Sequence, residues 1–133
     1  MSNDSYAEPL EVRKKSRMNS SELISEIRKQ KQQLARVCMD GAPYGLEAKG
    51  NHILGLLRQL IAIAKDGGGE ELDLTSYERA FDDLSHTIEK EVQYAIEAYL
   101  ASRKKNAAKK RRAEYNEALN RAISQIELDL NLI

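Results

Sequence analysis

Asp83 and His86 stand three residues apart in Asp83-Leu84-Ser85-His86. On a helix that spacing puts a carboxylate and an imidazole on one face, which is half of a carboxylate-bridged di-metal site. The other half is missing, because the only other histidine, His52, has Lys49 three residues before it. Two histidines and one cysteine in all undersupply a tetrahedral zinc site equally. His86 therefore reads as a helix-surface residue near Asp82, Asp83 and Lys90. Cys38 lies beside an apolar stripe close to Gly41, with none of the electropositive surroundings of a reactive thiolate, and reads as a core thiol. Gly67-Gly68-Gly69 leads into acids and not into Lys-Ser/Thr, so it is no phosphate-binding loop. No Gly-x-Ser-x-Gly nucleophile elbow occurs. These residues predict a protein without an enzyme's catalytic constellation, without metal and without cofactor.

The charges carry more information. The chain has 21 Lys+Arg and 21 Asp+Glu, so it is neutral as a whole and neither a globally basic nor a globally acidic protein. The balance hides blocks. Residues 66–97 hold ten acids and two bases, net −8, whereas residues 98–112 hold seven bases and no acid, net +7. The seven are Arg103, Lys104, Lys105, Lys109, Lys110, Arg111 and Arg112. A second basic cluster, Arg13, Lys14, Lys15 and Arg17, lies near the N-terminus. Dense cations displace counterions from a phosphate backbone without reading its sequence, and a basic arm can add a second contact. The same segment could equally dock on the acidic block of its own or a neighbouring chain, or on another protein, or remain a solvated face. No aromatic ring interleaves with the bases along the sequence, which points to duplex backbone in preference to stacked single strands.

The elements that must position these charges are helical. Hydrophobic residues make up 41% of the 133 positions, aromatics only 5% with no Trp, so the core must be aliphatic. All seven glycines and both prolines precede residue 70, and the remainder is free of helix breakers. Residues 1–18 hold Pro9 and few apolar groups, a composition that predicts a disordered, flexible basic arm. Residues 19–133 read as one helical domain, with helices over about 19–39, 46–65, 75–101 and 107–132. Asn19 with Glu22 matches a capping box, with Met18 and Leu23 set for a hydrophobic staple. Thr75 with Glu78 suggests a second box. The helix over 46–65 is apolar nearly all round, the mark of the innermost element. Gly50 and Gly55 within it could admit another backbone closely.

The third stripe runs Tyr77, Phe81, Leu84, Ile88, Val92, Ala95/Ile96, Tyr99, and a fourth follows in Tyr115, Leu119, Ala122, Ile126, Leu130, Ile133. Sixteen residues from Tyr99 to Tyr115 rotate the phase by about 160° after whole turns. Either one helix of roughly 84 Å serves two partners, or the chain breaks near 102–106 and forms a hairpin; helix-length statistics favour the break. The alternation Ile126-Glu127-Leu128-Asp129-Leu130-Asn131-Leu132, with Glu71-Leu72-Asp73-Leu74-Thr75, leaves a two-strand pairing open as a minority reading.

The sequence thus predicts an all-α, three- or four-helix antiparallel bundle with a long C-terminal helix or helical hairpin. Stripes on both faces of 75–133 predict self-association, most simply as a two-fold homodimer. The expected function is that of an interaction or adaptor protein docking on another protein or on nucleic acid. The alternatives are a nucleic-acid accessory protein working through 103–112 and 13–17, and a small inhibitor whose acidic block imitates phosphates. The lone cysteine and the absence of a signal-like N-terminus or an 18-residue apolar run predict a cytoplasmic protein with no membrane partner.

Overall fold

The computed structural model describes residues 18–39, 43–67 and 73–133, apart from the side chains of Val37, Cys38 and Met39. Of the predicted arm over 1–18, residues 1–17, with Arg13, Lys14, Lys15 and Arg17, lie outside the described residues, as do Gly68 and Gly69. The described residues are all-α and contain no strand. They form α1 (Ser20–Gln32), α2 (Leu34–Met39), α3 (Pro43–Lys65), α4 (Leu74–Thr87), a π-helical segment (Ile88–Val92), α5 (Gln93–Ser102) and α6 (Lys109–Asp129). No helix among them is long and apolar enough to cross a membrane.

Each boundary has a local cause. At α1 the expected capping box forms: Asn19 Oδ1 accepts from the Glu22 N–H at 2.8 Å, and Glu22 Oε1 accepts from the Asn19 N–H at 3.0 Å. Met18 packs onto the core beside it. The single helix expected over 19–39 is interrupted at Gln33, where tight turns run from Gln33 N to Gln30 O and from Arg36 N to Gln33 O, both at 3.1 Å. Neither Gly nor Pro marks that step. Lys49 Nζ holds it from outside, donating to Gln30 Oε1 at 2.7 Å and to Gln33 Oε1 at 3.1 Å. The second helix starts at Pro43, three residues earlier than expected. Proline suits a first helical turn because its missing N–H would have no intrahelical partner there. Gly67, at φ +73°, closes α3 in the left-handed region, its N–H reaching Ala64 O at 3.2 Å.

The capping box expected at Thr75 does not form. Asp73 caps α4 instead: Oδ1 accepts from the Ser76 N–H at 3.2 Å and Oδ2 from the Ser76 hydroxyl at 2.6 Å. Glu78 faces Lys65 at 3.7 Å, away from Thr75. The Ser76 hydroxyl, helped by the Ser76 and Thr75 backbone amides, holds the Asp73 carboxyl below its ordinary 3.8.

The helices alternate in direction. Lys65 meets Glu78 while Glu47 accepts from Gln93 at 2.6 Å, so α3 runs antiparallel to α4–α5. Thr87 meets Asp129 and Tyr99 meets Tyr115, so α6 runs antiparallel to α4–α5 in turn. Arg28 Nε and Lys31 Nζ donate to the carbonyls of Ile133 and Leu130, at 2.6 and 3.3 Å, closing α1 onto the end of α6. Basic side chains there satisfy carbonyls that the helix end leaves open. The result is an antiparallel four-helix bundle in which α3 touches every other helical element. Its buried face is Leu46, Gly50, Ile53, Leu56, Leu57 and Leu60.

The π segment has a geometric reason. Buried positions of α4 (Tyr77, Ala80, Leu84, Thr87) and those from the end of the segment onward (Val92, Ala95, Ile96, Tyr99 partly) drift apart by roughly 90° on an ideal helix. That is close to one residue's rotation, which one wide turn absorbs. Gly50 faces this turn: a Cβ there would stand 2.9 Å from Ile88 Cδ1. The close neighbour of Gly50 is thus the Ile88 side chain and not another backbone, and Gly55 has nothing within 4 Å of an added Cβ.

The stripe from Tyr115 to Ile133 is folded back onto the core and buried. The strand reading of 126–132 is overturned, since helix runs through Asp129 and a turn follows. Leu128 and Leu132, off the stripe, are 66% and 76% exposed. Self-association loses its sequence rationale, because one chain already covers both stripes.

Two outcomes follow. Gly55→Ala should raise unfolding free energy by about 0.5–1 kcal/mol, read by urea titration, because it gains helix propensity into open space. A depressed carboxyl contributes stability above its unfolded pKa and loses it as pH falls through the folded value. The native protein should thus melt above Asp73→Asn at neutral pH, and that lead should disappear as pH drops below about 4.

Candidate functional site

The break expected near 102–106 is present as a turn over 103–108 between α5 and α6. Arg103 N–H reaches Tyr99 O at 3.1 Å, Lys104 N–H reaches Ala101 O at 3.4 Å, and Ala107 N–H reaches Lys104 O at 3.0 Å. Asn106 supplies the reversal at φ +70°, a left-handed conformation that asparagine tolerates better than most L-residues.

This turn carries the predicted cations to one end of the bundle. Arg103, Lys104, Lys105, Lys109, Lys110, Arg111 and Arg112 are all exposed. Asp66, Asp73 and the first acids of α4 lie at the other end of the 74–102 rod, roughly 43 Å long at 1.5 Å per residue. Three ion pairs form among the described residues: Lys65–Glu78, Arg111–Glu114 and Arg121–Glu117. None joins the 66–97 acids to the 103–112 bases, so the basic segment does not dock on its own chain's acidic block. All three are exposed and each is worth about 0–1 kcal/mol.

The start of α6 breaks a local rule. α1 and α4 have side-chain caps, whereas the α6 N-cap is Ala108, with no side-chain bond and no acid in the first turn. Lys109, Lys110, Arg111 and Arg112 occupy that turn instead. Cations at the positive end of a helix cost about 0.3–1 kcal/mol each. Uncompensated local cost of this kind concentrates at functional sites.

Aromatic rings, missing from the basic run in sequence, surround it in space. Tyr99 and Tyr115 pack with centroids 5.1 Å apart at 58°, and Tyr44 meets Tyr99 edge-on at 6.1 Å and 89°. Arg103 sits 5.9 Å over the Tyr99 ring. A cleft of about 390 Å³ opens between the end of α5 and the start of α6, lined by Tyr99, Ser102, Arg103, Lys104, Arg112, Tyr115 and Asn116. The fold thus brings rings to the cations that the run itself does not contain. The inverted phase between Tyr99 and Tyr115 was the available signal: two stripes on opposite faces of one helix become facing stripes once the helix folds back. Tyr44 and Asn116 carried no signal.

The Asp83–His86 pair stays a surface feature. His86 and Asp83 are exposed on a shallow cleft with Thr87, Glu91, Gln125 and Asp129. The buried Thr87 hydroxyl donates to Asp129 Oδ2 at 2.5 Å, and Gln125 Nε2 donates to Asp129 Oδ1 at 3.0 Å. The carboxylate is thereby occupied in tying α6 to α4. His52 is exposed on α3, and no group of three His, Cys, Asp or Glu among the described residues could hold a metal. The Cys38 side chain lies outside the described residues.

No protein-family model matches the chain, and no curated protein or solved structure is similar to it.

Asn106 sets the geometry of this end. Asn106→Val should cost about 1–2 kcal/mol, because a β-branched residue resists the left-handed region. Asn106→Gly should leave stability unchanged or raise it, as chemical denaturation would show.

Proposed function

We propose that this protein is a non-enzymatic helical docking module that grips the phosphate backbone of a nucleic acid with its basic end. The observation that carries the reading is the start of α6: four consecutive exposed cations on an uncapped helix N-terminus, of which, among the described residues, only Arg111 is paired to a carboxylate, Glu114. A polyanion supplies what that end lacks. It gives the amides an acceptor, reverses the unfavourable charge–dipole sign and releases counterions from the strand. Arg103, Lys104 and Lys105 extend the contact along the turn. The exposed Leu128 and Leu132 beside Asp129 support a second, protein-directed contact at the other end, the adaptor reading. Nothing in the site favours the inhibitor reading.

The test is the charge-reversal variant Lys109→Glu, Lys110→Glu, Arg111→Glu, Arg112→Glu. It should lose salt-sensitive binding to nucleic acid and at the same time melt higher than the native protein, since four acids suit a helix start where four bases do not. Unchanged binding in a gel-shift titration against salt would reject the proposal.

A further inference from the structure

The cleft beside the basic turn contains more than phosphate binding requires. A duplex backbone needs only cations on an accessible surface. Here the cations rim a concavity whose wall is two tyrosine rings and whose edge is an amide. Resting on the reading just given, we infer that this cleft receives one unstacked base of a single-stranded nucleic acid. Tyr99 and Tyr115 form its ring wall, Asn116 meets its polar edge, and Arg103, Lys104 and Arg112 hold the flanking phosphates.

The placement of each group follows from the fold. Tyr99 ends the α4–α5 stripe and Tyr115 begins the α6 stripe, so the hairpin sets their rings 5.1 Å apart at the one end of the bundle where the aliphatic core gives out. Tyr44, from the first turn of α3, braces Tyr99 edge-on and fixes its plane. Tyr115 is buried and Tyr99 half-buried, so Tyr99 offers the open ring surface and Tyr115 packs behind it. Arg103 lies over Tyr99 at 5.9 Å, well beyond stacking contact, and its exposed guanidinium can leave the ring for a phosphate or sandwich a base against it. Asn116 is exposed one residue after Tyr115, and its amide offers both a donor and an acceptor to a base edge. Bases in a duplex are already paired and stacked, and cannot enter; those of a single strand can be splayed onto aromatic side chains.

With no tryptophan, the protein's emission comes from six tyrosines, two of which, Tyr99 and Tyr115, line this cleft. The full-length protein is titrated with a short oligonucleotide, as DNA and as RNA, with a hairpin duplex of equal phosphate count, and with an abasic strand of the same length. The single strand should quench tyrosine emission and bind at least about five-fold tighter than duplex or abasic strand, the factor expected from one stacked base. Asn116→Ala, at an exposed position where folding is not at stake, should lower single-strand affinity and leave duplex affinity unchanged. Equal affinity for single strand, duplex and abasic strand would overturn the base-binding inference while leaving phosphate docking standing. Absence of salt-sensitive binding to all of them would overturn both.

Discussion

The reversal at residues 103–108 is the constraint on which the molecule depends. Two apolar stripes lie about half a turn out of phase on either side of it, and no straight helix can bury both against one core. Once Asn106 takes the left-handed conformation, Tyr115, Leu119, Ala122, Ile126 and Leu130 fall against the face already made by Leu84, Val92 and Ile96. The same turn ends α5 at Ser102 and starts α6 at Lys109 with seven cations between and around them. Core completion and the basic end are thus one structural event, and the tyrosine wall is its seam.

The other helices serve that arrangement. α3 fills the centre because its apolar residues surround its axis, and Gly50 lets it approach the wide turn at Ile88. That turn rephases the helix so that Tyr99 still faces inward where it must meet Tyr115. The Thr87–Asp129 bond holds the far end of the α4–α6 pair.

The helical class and the central place of the second helix were legible from periodicity and from Gly and Pro placement, and the break after residue 101 from the inverted phase of two stripes in a stretch with no breaker residue. The cap at Asn19 was legible because both partners sit within one turn. What escaped had a tertiary cause. The Gln33 interruption has no breaker residue and is gripped by Lys49 from a neighbouring helix. The α4 cap falls at Asp73 because its carboxylate reaches both the N–H and the hydroxyl of Ser76, partners that the Thr75–Glu78 pattern did not include. The π segment is a phase correction imposed by packing, invisible to a pattern that tolerates a drift of about 90°. At the site, the seven cations were legible as a run, whereas the rings that line their cleft come from Tyr44, Tyr99 and Tyr115, which only the fold brings together.

The separation of opposite charges along the rod sets how the molecule meets a polyelectrolyte. Its two ends stand several screening lengths apart at physiological ionic strength, where that length is about 8 Å. Each end therefore acts as if the other were absent, and overall neutrality gives no protection against a strongly anionic target. The far end has no matching block of one sign, since Arg28, Lys31, Lys65 and Arg79 stand there among the acids, so only the turn end presents an unbroken field to an approaching ion.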